Sequence, residues 1–258
     1  AHDPEHQWVT SKFRSIKADC AIVIIETDGN LQGIGEACAY GVPPDIKKRV
    51  AELEKTLIGK DPSDPAIVPK MTGGPRSEDI ALAGVDCALW DLRGKIENKK
   101  VSELLTDNPL DKVRLYASSG CMYDWDNDPE QLVREAIGYA DDGLTAMKMR
   151  LGTHWGWSNI TPEKFIVLAQ KVTDAVGDRM ELMLDGNCRL TEEEALPIAK
   201  ALDEMGWTWF EEPIQRDPDA YARLNAAVKM AITGGEPFTT VEQFEPYFDK
   251  DAFAIAQP

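Results

Sequence analysis

Three acidic residues stand at similar places in the second half of the sequence: Asp185, Glu211 and Glu236. Each follows a short apolar run typical of a β-strand, and the chain spaces the three almost evenly. Carboxylates gathered at one point repel each other unless a cation lies between them, and carboxylate oxygens with water suit a hard, octahedral ion. The pattern therefore predicts a Mg²⁺ site. The alternative for each residue alone is helix capping, since each precedes a helical segment.

Two cations, Lys148 and Arg150, end the preceding strand-like segment. Their i, i+2 spacing places both side chains on one face of a strand. A neighbouring cation and partial burial lower the pKa of a lysine, so Lys148 is expected to act as a base. Arg150 keeps its proton and suits the binding of a carboxylate or of developing negative charge. The alternative for Lys148 is a salt bridge to a strand-end carboxylate.

Three further polar residues accompany these groups. Asn187 follows the first carboxylate and either closes a turn or donates its amide to a substrate oxygen. His154 lies in a tryptophan-rich loop after the two cations, and it is either solvated or in contact with substrate. Glu212 is expected to be an ion-pair partner rather than a fourth metal ligand.

The elements that position these residues differ between the two parts of the chain. Residues 1–111 read as a hairpin (20–27 and 32–37) followed by helices, the longest at 77–96, which indicates an α+β domain. In residues 112–258, strands and helices alternate, which indicates a parallel β/α architecture with its chemistry at the carboxyl ends of the strands. Periodicity alone leaves a barrel and a doubly wound sheet open. The expected strands are 113–118, 145–150, 180–185, 207–211, 229–234 and 253–256.

Composition limits the partners and the compartment. The 258 residues allow one large or two smaller domains, and the formal charge of −17 argues against nucleic acid or an anionic membrane as the main partner. No apolar run has the length of a membrane span, and the amino terminus lacks the form of a signal peptide. Five cysteines without a CxxC pair indicate reduced thiols and a cytoplasmic protein.

Several stretches carry a resemblance to a known family: IIETDGNLQGIGEA, LAGVDCALWDLRGK, the Lys148-Met149-Arg150 triplet, LMLDGN, WFEEP, GGE and IAQP. In this order and combination, over nearly the whole chain, they resemble the enolase superfamily, in its mandelate racemase and muconate lactonizing enzyme branch. The resemblance implies an α/β, enolase-like fold. It would consist of an α+β capping domain (1–111) and a (β/α)7β TIM-like barrel, of which residues 112–258 would form a part that lacks the last strands.

The resemblance also implies a chemistry and a site. Asp185, Glu211 and Glu236 would bind Mg²⁺, and the first step would remove a proton next to a carboxylate to give an enediolate, as is general for this superfamily. Such a proton is very weakly acidic. Cations that stabilise the charge developing in the transition state therefore lower the barrier. The implied partners are a small-molecule carboxylate substrate and further copies of the chain.

Two departures from the family pattern bear on the reaction. Arg150 occupies the place of a second lysine, which is one of two opposed bases in the racemases, so one-sided chemistry such as dehydration of a sugar acid is favoured. The sequence stops at Pro258, before the Asp, the His and the last two strands of the family pattern, so we expect a longer parent protein. The expected function is a Mg²⁺-dependent sugar-acid dehydratase. The alternatives are a racemase or epimerase of a 2-hydroxy acid or amino-acid derivative, and a truncated, non-catalytic metal-binding homologue.

Overall fold

The computed structural model describes residues 8–9, 14–15, 20–38, 43–67, 70–120, 124, 127–151 and 161–258. The chain divides into two compact units, Ala18–Val113 and Arg114–Pro258. Two short strands, β1 (Trp8–Val9) and β2 (Arg14–Ser15), pair antiparallel and group with the second unit. Over the described ranges, no helix combines the length and the apolar character needed to span a membrane.

The first unit is an antiparallel hairpin packed on helices. Its strands are β3 (Cys20–Glu26) and β4 (Gln32–Cys38), which confirms the predicted hairpin, and its turn places Asn30 at a φ of 61°. Its helices are α1 (Pro43–Leu57), α2 (Arg76–Glu97) and α3 (Val101–Leu105), with a short 3-10 turn at Pro65–Ile67. The unit is therefore α+β.

Strand β4 lies against α2 at a distance that only glycine allows. A Cβ atom on Gly35 would lie 2.1 Å from the carbonyl oxygen of Gly84, and one on Gly33 would lie 2.1 Å from that of Ala88. A side-chain bond fixes the register, because the Asp91 carboxylate of α2 accepts a hydrogen bond of 2.8 Å from the Ile34 amide. Gly33 and Gly35 of the GNLQGIGEA stretch thus serve packing between helix and strand.

The second unit contains a parallel sheet with helices between successive strands. Its described strands are β5 (Ala117–Ser119), β6 (Ala146–Arg150), β7 (Glu181–Asp185), β8 (Trp209–Glu211), β9 (Ala231–Gly234) and β10 (Ile255–Ala256). The helices are α4 (Gln131–Asp141), α5 (Pro162–Val176), α6 (Glu192–Glu204), α7 (Pro218–Ala226) and α8 (Val241–Phe248). The six strands pair in chain order, whereas a doubly wound sheet reverses its order, so the architecture is that of a barrel wall.

The predicted strand at 113–118 was wrong in its first part. Strand β5 begins only at Ala117, and Val113 and Leu115 are 71% and 69% exposed. The guanidinium of Arg114 instead donates to the carbonyl of Thr145 at 2.6 Å, directly before β6. The alternating apolar pattern of this segment therefore does not mark a face buried in the described structure.

Apolar side chains fill the space between the sheet and its helices. Sheet residues such as Leu184 and Phe210 are fully buried against helix residues such as Phe165, Ile198 and Tyr221. This layer holds the strands rigidly in register. The strand ends are therefore a fixed platform for polar side chains.

We predict that Gly35→Ala destabilises the first unit by about 1–3 kcal/mol, because the added methyl group must displace the backbone of α2. Gly138→Ala is the matched control. Gly138 lies in α4, and a methyl group added there would have open space around it within 4 Å, so this change should stabilise by about 0.5–1 kcal/mol. Urea unfolding of both variants measures the difference, and equal stabilities would contradict the close approach.

Candidate active site

A row of polar side chains crosses four neighbouring strands at their carboxyl ends. The register pairs Arg150 with Asp185, Asp185 with Glu211, and Glu211 with Thr233. Paired residues in a sheet point to the same face, and Lys148 shares that face because it precedes Arg150 by two positions. We call Arg150, Asp185, Glu211 and Thr233 the polar row. The structure thus brings together both predicted cations and two of the three predicted carboxylates.

Lys148 and Arg150 are each ion-paired to the carboxylates. The Nζ atom of Lys148 donates to both oxygens of Glu211 at 2.8 Å and lies 3.9 Å from Oδ2 of Asp185. Nη2 of Arg150 lies 2.9 Å from the same Oδ2 atom. Lys148, Asp185 and Glu211 are 9%, 2% and 3% exposed, so these charges interact with little screening by water.

Burial and charge shift the pKa values of this cluster. Burial raises the pKa of Asp185 to about 6, with a further contribution from Glu211, while Arg150 and Lys148 oppose the rise. For Lys148, burial is the largest single influence and lowers the pKa, but Asp185 and Glu211 together outweigh it and raise the pKa.

The expectation of a lowered lysine pKa was therefore wrong for this arrangement. The carboxylates of Asp185 and Glu211 lie on the same face as Lys148, and their attraction for its ammonium form outweighs the effect of burial on its pKa. The alternative of a salt bridge to a strand-end carboxylate is the one observed. Lys148 is a hydrogen-bond donor as long as both carboxylates keep their charge.

The donor set at Asp185 and Glu211 fits a hard cation. Oδ2 of Asp185 is buried and accepts no hydrogen bond within the described part of the chain, although Arg150 lies in ion-pair contact with it. Two buried carboxylates offer only oxygen atoms, the ligands that Mg²⁺ prefers. The described residues contain no group of three or more His, Cys, Asp or Glu side chains placed to hold a metal ion.

Glu236 lies apart from the polar row. The residue across from Glu211 on β9 is Thr233, and Glu236 follows three positions later in the turn after the strand, where it is exposed. The even spacing of the three carboxylates along the chain therefore does not place them at equivalent positions in the sheet. The role of Glu236 as a metal ligand stays a prediction.

The other two predicted substrate contacts have different outcomes. The backbone amide of Asn187 donates to Oδ1 of Asp185 at 2.8 Å, and its φ of 48° closes the turn after β7. Its side chain is half-buried, and contact with substrate stays a prediction. His154 lies outside the described residues, so its expected substrate contact is untested.

Sequence reasoning missed Gln257 and Thr233. Nε2 of Gln257 donates to Oε2 of Glu211 at 2.8 Å, and the Thr233 hydroxyl donates to Oε1 of Gln257 at 2.9 Å. It also missed Tyr116, whose ring centre is 5.9 Å from Nζ of Lys148. Gln257 belongs to the IAQP stretch that carried the family resemblance, and that membership was the available signal.

Glu212 is an ion-pair partner, as predicted. Its buried carboxylate binds Arg216 of the following turn, with Nε at 2.9 Å and Nη2 at 2.7 Å, and also accepts from the Cys188 thiol at 3.3 Å. Its backbone has a φ of 41° and bonds to both neighbouring strand ends, through Thr233 on one side and Cys188 on the other. Glu212 therefore links the end of β8 to the turn after β7 and to strand β9.

Family comparison agrees with the fold and the motifs. Residues 3–106 match the mandelate racemase / muconate lactonizing enzyme N-terminal domain, and residues 131–258 match the enolase C-terminal domain-like family. The chain belongs to the mandelate racemase and muconate lactonizing enzyme branch of the enolase superfamily.

Individual relatives include sugar-acid enzymes. An arabinonate dehydratase of Saccharolobus solfataricus is 31% identical over 90% of this chain and 63% of its own length. A D-galactarolactone cycloisomerase of Agrobacterium fabrum is 31% identical over 91% of this chain and 62% of its own length. The chain thus spans less than two thirds of these curated relatives. The crystal structure of a 3,6-anhydro-D-galactonate cycloisomerase from Zobellia galactanivorans is similar with a TM-score of 0.77 and 28% identity, over 98% of this chain and 70% of that one.

We predict that Arg216→Met destabilises the protein by about 2 kcal/mol, because it leaves the Glu212 carboxylate buried without its cation. The loss is smaller than for a fully buried pair because the Arg216 side chain is 33% exposed. Arg223→Met is the matched control. Arg223 makes a similar two-bond pair with Glu192, but both side chains are exposed, so its loss should hardly change the midpoint of thermal unfolding. Equal effects of the two variants would contradict the anchoring role of Glu212.

Proposed function

We propose that this chain carries the proton-abstracting site of a lyase that dehydrates a sugar acid, with Mg²⁺ as its cofactor. The observation that supports the proposal best is the buried cluster at the strand ends. There Lys148 and Arg150 meet Asp185 and Glu211 on one face. Relatives named as arabinonate and D-galactonate dehydratases support the substrate class. Such a reaction needs both a proton acceptor and positive charge beside the substrate carboxylate.

Asp185 and Glu211 would hold the cation, and we propose Glu236 as the third carboxylate. The buried Oδ2 of Asp185 and the all-oxygen donor set support this assignment. When bound, Mg²⁺ would supply the positive charge that stabilises an enediolate more than the starting carboxylate. The protein's overall charge of −17 is compatible with an anionic substrate, because the site itself is then locally positive.

Lys148 would take the proton from the carbon next to the substrate carboxylate. Its pKa is raised because Asp185 and Glu211 attract its ammonium form. A cation held by Asp185 and Glu211 would balance those two charges, and burial would then lower the Lys148 pKa. The Lys148 amine would therefore act as a base only in a site that holds the cation.

Arg150 would orient the substrate rather than exchange a proton. Its guanidinium stays charged, lies on the same face as Lys148 and contacts Asp185 at 2.9 Å. It can bind a substrate carboxylate or hydroxyl group with directed hydrogen bonds. A racemase or epimerase is the second candidate, since it would use the same first step. Arginine in place of a second amine favours the one-sided reaction.

We infer the cellular compartment of this activity from the cysteine thiols. Within the described residues, Cys20 and Cys87 are free, exposed thiols. Free exposed thiols suit a reducing compartment, which supports a cytoplasmic location. Association into a homo-oligomer stays a prediction.

We predict that the native protein converts a sugar acid to a 2-keto-3-deoxy acid and that excess chelator abolishes this activity. Asp185→Asn should also abolish it, because one carboxylate at the cation position is lost. Glu181→Gln is the matched control on the same strand, since Glu181 is exposed and forms a surface ion pair with Arg114 at the opposite end of β7. Incubation with a panel of sugar acids and detection of the keto product measure this. Full activity in excess chelator would refute the cation.

We predict that Lys148→Met lowers kcat by about 10²–10⁴-fold, because a positioned base is lost. Exchange of the substrate α-proton with deuterated solvent should disappear with it. Lys171→Met is the control, because Lys171 lies on the exposed side of α5 and pairs with the exposed Glu130. Unchanged α-exchange in Lys148→Met would assign the proton transfer to another group.

A further inference from the structure

The Glu211 carboxylate is held from two opposite sides. Strand β8 lies between β6–β7 on one side and β9–β10 on the other. Lys148 reaches Glu211 from β6, and Gln257 reaches it from the residue after β10, each at 2.8 Å. Each donor comes from two strands away. Hydrogen bonds from both neighbouring parts of the sheet therefore restrict the orientation of the Glu211 carboxylate.

The hydrogen-bonding capacity of the groups dictates the orientation of the Gln257 amide. An ionised carboxylate only accepts hydrogen bonds, so the amide nitrogen of Gln257 must face Glu211. The amide oxygen then faces Thr233, whose hydroxyl donates to it at 2.9 Å. Thr233 is fully buried, so its hydroxyl has a strong preference for this partner. The order of donors and acceptors is thus fixed: Thr233 donates to Gln257, and Gln257 donates to Glu211.

The backbone holds the same three residues in place. Thr233 is the register partner of Glu211 on β9. The backbone amide of Gln257 donates to the carbonyl of Gly234 at 3.0 Å, which continues the ladder between β9 and β10. The backbone of Gln257 is therefore held in place, which limits the side-chain conformations that Gln257 needs to sample to reach Glu211.

The charges of the two donors of Glu211 differ. Lys148 neutralises the carboxylate, and a cation must compete with it for Glu211. Gln257 and Thr233 are neutral, so they orient the carboxylate and leave its charge available. The hydrogen bond from the Gln257 amide to Glu211 can persist whether Lys148 is paired with Glu211 or released from it.

We propose that Thr233 and Gln257 are positioning residues that orient Glu211 for binding the divalent cation. This inference rests on the proposed function, since it assumes that Glu211 is a metal ligand. Neither residue needs to contact the substrate. Loss of partners that orient a ligand typically weakens metal affinity by about 10–100-fold.

The test is Mg²⁺ affinity, measured by titration calorimetry on the native protein without substrate. Thr233→Val and Gln257→Leu should each weaken binding by about 10–100-fold, and Thr233→Ser, which keeps the hydroxyl, should restore it. The double variant should be little worse than Gln257→Leu, because both changes break the same link to Glu211. Gln170→Leu on the surface of α5 is the control and should bind Mg²⁺ like the native protein.

Unfolding of the metal-free variants separates positioning from a merely structural role. A structural role predicts lower unfolding midpoints with unchanged Mg²⁺ affinity in the folded protein, and that result would overturn the inference. If Thr233→Val fails to fold, Gln257→Leu gives the same affinity test, because Gln257 is only half-buried. A native protein that binds no Mg²⁺ would overturn the proposed function and the positioning role with it. Native binding with unaltered variants would overturn the positioning role alone.

Discussion

The pairing of two buried carboxylates with the buried Lys148 and the partly buried Arg150 sets the conditions for the rest of the catalytic unit. Removing such charges from water costs several kcal/mol per ion, and only close, well-directed contacts offset that cost. Asp185 and Glu211 obtain those contacts because the parallel register places them side by side and puts Lys148 and Arg150 on the same face. The helices, the apolar layer and the turns after the strands all serve to keep this register fixed.

Much of the architecture was predictable because local patterns determine it. Helices α5 and α8 have the predicted bounds, since their caps and apolar spacing lie within the segment itself. The identity of the strand ends that carry Lys148 and Asp185 followed from the same alternation. Strand β5 was predicted too long, because apolar alternation indicates a strand but does not show whether another element covers its face.

The rest of the site depends on distances that no local pattern contains. The position of Glu236 outside the polar row follows from the pairing of β8 with β9, in which Thr233 is the partner of Glu211. The direction of the Lys148 pKa depends on two carboxylates that are remote in sequence. Gln257 and Glu211 are far apart along the chain, and their contact exists only because β10 joins the sheet. The sequence motifs contained the residues of the site, but the pairing of the strands determines which of those residues are in contact.

The close contact of β4 with α2 depends on a match between the residue spacing of the strand and that of the helix. Gly33 touches the carbonyl of Ala88 and Gly35 touches that of Gly84, so two steps forward on the strand match four steps backward on the helix. Two strand residues advance about 6.8 Å and four helix residues about 6 Å, so the two repeats nearly coincide. A one-residue insertion in either element would put a side chain where a glycine must be. This part of the chain should tolerate changes of residue type at its exposed positions far better than changes of length.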